Sequence, residues 1–213
     1  MPLPRTLVLD QGIQRPQGYG DVVSTAEPFP VVDTTVGTYN IPVNRFVATL
    51  QNRSAATVCN DVLPDSTSLI AAMGPVALNT TFRHKLLNAG AAAITVTATA
   101  NTGVTVASPT VNAGSVKDFL VTLTNTTPAT ALVNVSSTNA SPTITNVSQA
   151  MTDAVSVGMK VSNNILGLQG TTIIGIVPGV SITFSANANA TSANQTINLI
   201  PTYTVQGLGQ GLV

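Results

Sequence analysis

A catalytic reading of this sequence has to pass through His84, the one histidine among 213 residues. A Ser/His/Asp relay needs an imidazole to take the hydroxyl proton and a carboxylate to orient it. Asp61, Asp65 and Asp118 are the candidate orienters, and serines are plentiful. His84, however, stands in Phe82-Arg83-His84-Lys85-Leu86. In a strand it shares a face with Phe82 and Leu86, which reads as a half-buried or interface imidazole. No Gly-x-Ser-x-Gly elbow presents a nucleophile. One histidine, one cysteine and scattered acids make a poor metal set, and calcium held by Asp and backbone oxygens has no motif behind it.

The remaining candidates have simpler readings. Asp61 and Asp65 could be weighed as the carboxylate pair of a glycosidase. Asp61-Val62-Leu63-Pro64-Asp65 reads more simply as a turn followed by a helix cap. Gly207 and Gly209 lack the strand–turn–helix context of a phosphate loop. Cys59 follows Val58 in a strand-like run and reads as a small buried residue. Tyr19, Tyr39 and Tyr203 are dispersed, and tryptophan is absent, so no aromatic platform for sugars stands out. The expectation is a protein without enzymatic activity, cofactor or metal.

Composition points the same way. Charged residues make up 8% of the chain, against roughly 25% in ordinary soluble domains. Net charge is +0, so no basic face for nucleic acid is expected. The apolar runs are too short for a membrane span. Hydrophobic residues at 44% supply a core, and Thr, Ser, Asn and Gly must cover the surface. A surface without net charge does not keep copies apart and suits a chain packed in an assembly. Charge is also uneven: beyond Asp118 only Asp153 and Lys160 are ionised, whereas Arg5, Asp10, Arg15, Asp21, Glu27, Asp33, Arg45, Arg53, Asp61 and Asp65 crowd the start. Met1-Pro2-Leu3-Pro4-Arg5 has no apolar signal core. Synthesis in a cytosol without export is expected, and the Asn-x-Ser/Thr sequons read as by-products of composition.

The elements fall into three blocks. Residues 1–38 contain Pro2, Pro4, Pro16, Pro28 and Pro30, which disfavour helix and central strand. They read as an extended arm that cannot build its own core and must lie on another surface, for instance by adding a strand to a neighbour's sheet edge. Residues 39–138 read as a β-sandwich domain. Segments 39–44 and 45–50 look extended, and Asp65 and Gly74-Pro75 frame a short helix over 66–73. Strands follow at 80–87, 94–100, 104–107, 118–124 and 131–135, several alternating with period two. Residues 139–213 read as a second small β domain with strands near 143–147, 156–162, 171–177, 180–185 and 196–199. Residues 206–211 look like a frayed end, and a single continuous β domain is the alternative to two. The fold class is all-β: a β-sandwich or jelly-roll-like body with an N-terminal arm, one short helix and a second β module.

Two stretches carry a resemblance. The first runs through Thr81-Phe82-Arg83-His84-Lys85-Leu86-Leu87-Asn88, Thr102-Gly103-Val104-Thr105-Val106 and Val111-Asn112-Ala113-Gly114-Ser115-Val116-Lys117-Asp118-Phe119-Leu120-Val121. The second is Val157-Gly158-Met159-Lys160-Val161-Ser162, Gly170-Thr171-Thr172-Ile173-Ile174-Gly175-Ile176 and Ser181-Ile182-Thr183-Phe184-Ser185. The first is similar to a segment of tailed-bacteriophage virion proteins, the second to a small β module of phage head, tail and fibre proteins. The second departs from that module at Asn163-Asn164-Ile165, where glycine is usual, and at Phe184, where leucine is usual.

The resemblance implies a structural protein of a tailed-bacteriophage virion, and the short chain, the leading arm and the lack of a receptor-binding signature or trimeric coiled coil favour a capsid decoration (cement) protein over a tail protein. Its partners would be the major capsid protein and other copies of itself, commonly as a homotrimer, on the outer capsid surface of the virion, after synthesis in the host cytoplasm. Neither nucleic acid nor membrane is expected as a partner. Within the arm, the partner-binding residues expected from composition are Arg5, Leu7, Val8, Leu9, Arg15, Phe29, Val31 and Val32. The alternative is a head-fibre or tail/adhesin subunit that exposes its C-terminal β domain to the host.

Overall fold

A computed structural model describes residues 8–10, 13–15, 32–48, 50–163 and 165–212. The fold is all-β. In chain order the elements are β1 (Val8–Asp10), β2 (Ile13–Arg15), β3 (Val32–Asp33), β4 (Thr38–Asn40), α1 (Val43–Val47), β5 (Leu50–Arg53), β6 (Cys59–Val62), α2 (Ser66–Met73), β7 (Thr81–Asn88), β8 (Ile94–Thr97), β9 (Val104–Ala107), β10 (Thr110–Val111) and β11 (Ser115–Asn125). Then come β12 (Thr130–Ser137), β13 (Thr143–Thr145), α3 (Gln149–Asp153), β14 (Lys160–Val161), β15 (Ile173–Val177), β16 (Ser181–Phe184), β17 (Ser192–Ile200) and β18 (Thr202–Leu212).

β1 and β2 form a hairpin of their own, a two-stranded sheet. The first body faces a six-stranded sheet, β3-β5-β7-β11-β18-β9, with a four-stranded one, β10-β8-β6-β4. From β3 to β8 the chain alternates between these sheets and adds one parallel strand to each on every pass. Val32 pairs with Asn52 and Thr38 with Asn60, offsets of 20 and 22 residues; Gln51 pairs with Leu86 and Cys59 with Ile94, offsets of 35. The longer pass accommodates α2. This is a parallel winding, so the body does not follow the antiparallel order of a jelly roll. β11 and β18 then extend the larger sheet in antiparallel pairing, and β9 lies parallel to β18 as its far edge.

Local chemistry explains the elements. The Asp65 carboxylate accepts from the Ser68 amide at 2.8 Å, and Gly74, at φ +70°, donates to the Ile70 carbonyl and ends α2. β11 alternates without a break between buried and half-buried positions. Its inner face carries Phe119, Val121 and Leu123, which join Leu86, Ile94, Val96 and Tyr203 in one core. Lys117 also points inward; its ammonium donates to the Ser108 and Thr110 carbonyls at 2.7 and 2.9 Å. Room for it comes from Gly207, where a Cβ would lie 2.2 Å from the Ser108 oxygen and 2.6 Å from the lysine Cε.

The second body is a separate six-stranded sheet, β14-β17-β12-β13-β16-β15. It closes on itself: Lys160 bridges to Thr172, the Ile173 amide donates to the Met159 carbonyl, and the Gly158 amide to the Ile173 carbonyl, both at 2.9 Å. The resulting small barrel is filled by Leu132, Val135, Ile144, Met159, Ile173, Ile182, Phe184, Ile197 and Leu199.

Several sequence expectations need correction. Segment 39–50 is not extended throughout, because α1 occupies Val43–Val47 with Phe46 fully buried. Segment 156–162 contributes only the two residues of β14. Segment 206–211 is no frayed end but part of the eleven-residue β18. The strand pairing also divides the chain differently from a boundary at 138/139. β12 belongs to the barrel, and β18 returns to the first body. The barrel is therefore an insertion between β11 and β18. Residues 138–141, which look like a linker, lie in the turn between β12 and β13; Asn and Ser mark turns and linkers alike.

Candidate functional site

The end of the winding where the chain enters carries the most unusual chemistry. β3 and β4 are the outermost strands of their sheets there. The residues that would normally fill the space behind them are ionic. Arg53, on the inner face of β5, is fully buried. Its Nε and Nη2 donate to the two oxygens of Asp61 on β6, at 2.9 and 2.8 Å. Its Nη1 donates to the Asp33 carboxylate at 2.8 Å and to the Asp33 carbonyl at 3.2 Å, and Nη2 also donates to the Thr35 carbonyl at 3.0 Å. All five guanidinium donors are thereby used. The cation lies 4.4 Å from the centre of the Tyr39 ring. Arg45 donates to the Tyr39 hydroxyl at 3.1 Å and approaches Asp33 at 3.5 Å.

This clamp ties the first pass, residues 32–40, to the second. Burial raises the Asp33 carboxyl, but hydrogen bonds from Thr35 and Tyr39 and the Arg53 charge outweigh it and hold Asp33 below its ordinary range. For Asp61 burial dominates and pushes the carboxyl up, against the pull of Arg53. Burial also raises the Cys59 thiol, which lies 3.5 Å from the Arg53 Nη2. Residue types and spacing did not reveal the clamp: Asp61 read as part of a turn, and nothing marked Arg53 as interior. The available signal was an arginine in a strand-like run with acids before and after it.

The outer side of this end is an edge. The Asn60 amide donates to the Gly37 carbonyl, and the Ile41 amide to the Val62 carbonyl, both at 2.8 Å. Gly37 and Ile41 thus bond inward to β6. By the alternation of a parallel ladder, Thr38 and Asn40 turn their amides and carbonyls to the open side. Among the described residues no strand pairs there. Val32 and Val36 are 48% and 56% exposed beside it.

A second concavity lies at the joint of the two bodies, an apolar cleft of about 640 Å³ between the C-terminal end of α2 and the linkers. Ile70, Ala71, Pro75, Val76, Pro128 and Pro201 line it. The joint itself is polar. Asn125 donates to the Ser156 hydroxyl at 2.7 Å and to the Val157 carbonyl at 3.0 Å, and Thr202 donates to the Gly158 carbonyl at 3.3 Å.

His84 sits inside the first body, 2% exposed, with its ring 5.0 Å from that of Phe46 and Nδ1 3.4 Å from the Ala48 carbonyl. Its Nε2 has no hydrogen-bond partner, nor has either end of the buried Gln51 amide. Burial lowers the imidazole to about 4. No serine or carboxylate bonds to His84 among the described contacts, so no nucleophile–base pair is assembled there. Among the described residues no group of three or more His, Cys, Asp or Glu side chains is placed to hold a metal. No described helix is long and apolar enough to cross a membrane.

Of the arm residues singled out from the sequence, Val8, Leu9 and Arg15 fall in the β1–β2 hairpin, where Val8 pairs with Arg15 and Leu9 with Gln14. Val32 opens β3, at the edge of the first body. Arg5, Leu7, Phe29 and Val31 lie outside the described residues. Comparison with known proteins returned no matching family model, no similar curated protein and no similar solved structure.

Proposed function

We propose that this protein is a structural subunit of a bacteriophage virion, binding the outside of the capsid as a decoration protein through its N-terminal arm. The observation that supports this reading is that β1 and β2 pair only with each other among the described strands. The hairpin forms a sheet of its own, while the body's winding ends in two outermost strands where the chain enters. An isolated two-stranded hairpin is marginal in water and gains stability by lying on another protein. The charge-poor surface suits close packing in a lattice. Many weak contacts, repeated on each copy, add up through multivalency. The major capsid protein and further copies of this chain, for example in a trimer, are the partners in this reading.

The test is co-sedimentation with empty expanded capsids, using the full-length chain and a form lacking residues 1–31 side by side. Saturable binding of the full-length chain, lost on deletion, is the expected result. Failure of both forms to bind would refute the capsid reading. A head-fibre or tail role is the second reading, favoured by one observation. The inserted barrel exposes Val157, Ile174, Val177 and Val180, an apolar set suited to a contact made by the barrel itself. Binding of the isolated protein to host cells, lost in Ile174→Asp, would establish that role.

A further inference from the structure

We propose that the β1–β2 hairpin of one copy adds to the open edge of β4 in a second copy, so that the arm links decoration subunits to one another. This rests on the reading of the arm as an intersubunit contact and names its acceptor. Three features carry it. The first is the acceptor's hydrogen-bonding state. Thr38 and Asn40 present amides and carbonyls on the side away from β6, and Val36 beside them is more than half exposed. Edge strands of natural proteins are commonly blunted by lysine, proline or a bulge inside the strand. Thr38-Tyr39-Asn40 has none of these.

The second feature is the donor. β1 and β2 are three residues each, the length of β4, and they pair only with each other among the described strands. A hairpin of that size acquires a lasting partner by strand addition, with main-chain bonds supplying the affinity. The third is reach and charge. The 16 residues from 16 to 31 separate hairpin and body, and at about 3.3 Å each they span up to roughly 50 Å, enough to cross to an adjacent subunit. The chain's net charge of +0 offers no general repulsion between copies. Among the described residues of one chain the hairpin and the β4 edge are not paired; a second copy supplies a donor for each acceptor and an acceptor for each donor.

The experiment uses two full-length variants, Gln14→Cys in the hairpin and Thr38→Cys on β4. They are mixed in equal amounts and treated with a short bis-maleimide, both free in solution and on capsids. The native Cys59 is buried and stays in place. The expected result is a cross-linked pair containing one of each variant. It should be accompanied by concentration-dependent association in sedimentation velocity, lost on deletion of residues 1–31. Asn40→Pro removes only an outward-facing donor at an edge, where proline is tolerated, and should weaken association at least tenfold while leaving the thermal melt cooperative. Absence of the mixed pair both in solution and on capsids would overturn the proposal. So would a Gln14→Cys/Thr38→Cys double variant that closes only within its own chain. If deletion of the arm abolishes capsid binding while no mixed pair forms, the arm grips the shell itself; the capsid reading then stands and this inference falls.

Discussion

Replacing His84 by leucine should flatten the acid side of the protein's stability profile. The imidazole is 2% exposed, and burial, opposed by the carbonyls of Ala48 and Phe46, brings it from 6.5 to about 4. At ~1.36 kcal/mol per pKa unit that difference amounts to about 3 kcal/mol. The sign follows from proton linkage. Between pH 6.5 and about 4 the unfolded chain binds a proton at this position that the folded chain refuses. The contribution is therefore fully present above pH 6.5, declines as the pH falls through that interval, and is lost below about 4. A loss of about 3 kcal/mol is a large share of the ~5–15 kcal/mol typical of a folded domain. The assay is urea denaturation at pH steps from neutrality to 4, with wild type and His84→Leu in parallel. Carboxylates titrate in both proteins and cancel in the difference. Wild type should lose about 3 kcal/mol more than the variant across the interval, about 2.5 times ~1.36 kcal/mol. Parallel curves would show that His84 binds its proton in the fold as easily as in the open chain, and the burial argument would fail.

Three further outcomes are expected. Arg53→Met leaves the buried Asp61 carboxylate without its partner and should cost about 3–5 kcal/mol in urea unfolding, much of it recovered by adding Asp61→Leu. Gly207→Ala places a methyl 2.2 Å from the Ser108 oxygen and should destabilise by about 1–3 kcal/mol, read as a drop in Tm by calorimetry. Asp65→Ala removes the cap that holds the Ser68 amide and should cost about 1 kcal/mol, with faster amide exchange confined to the first turn of α2.

The periodic elements were legible in the residues themselves. β11 shows its two faces in the order of its side chains, and α2 is framed by Asp65 and Gly74. What pairs with what was not legible. Period-two alternation states that a strand has a buried face, and parallel windings and antiparallel sandwiches satisfy it equally. α1 escaped notice because its five residues include two valines, poor helix formers; the burial of Phe46 against His84, Phe82 and Tyr203 holds it in place. β18 looked frayed because Gly207, Gly209 and Gly211 read as flexibility. At Gly207 the missing side chain is what lets Lys117 turn inward. The clamp around Arg53 brings together residues that stand up to 28 positions apart, from Asp33 to Asp61, and no local pattern encodes it.

The insertion point has a mechanical meaning. The barrel hangs from two neighbouring strand ends, since Asn125 at the close of β11 is registered with Thr202 at the start of β18. A force that lifts the barrel away from the first body pulls both strands at the same end. Once the Asn125–Ser156 and Thr202–Gly158 bonds part, load falls on the β11–β18 ladder one rung at a time, as in opening a zipper. A force applied along the strands would meet all the rungs together. The two bodies should therefore part readily under a perpendicular tug yet hold under a sliding one. The same geometry leaves the two ends close enough to be joined by a tight turn, with the 126–201 segment removed and β11 and β18 left as a simple hairpin.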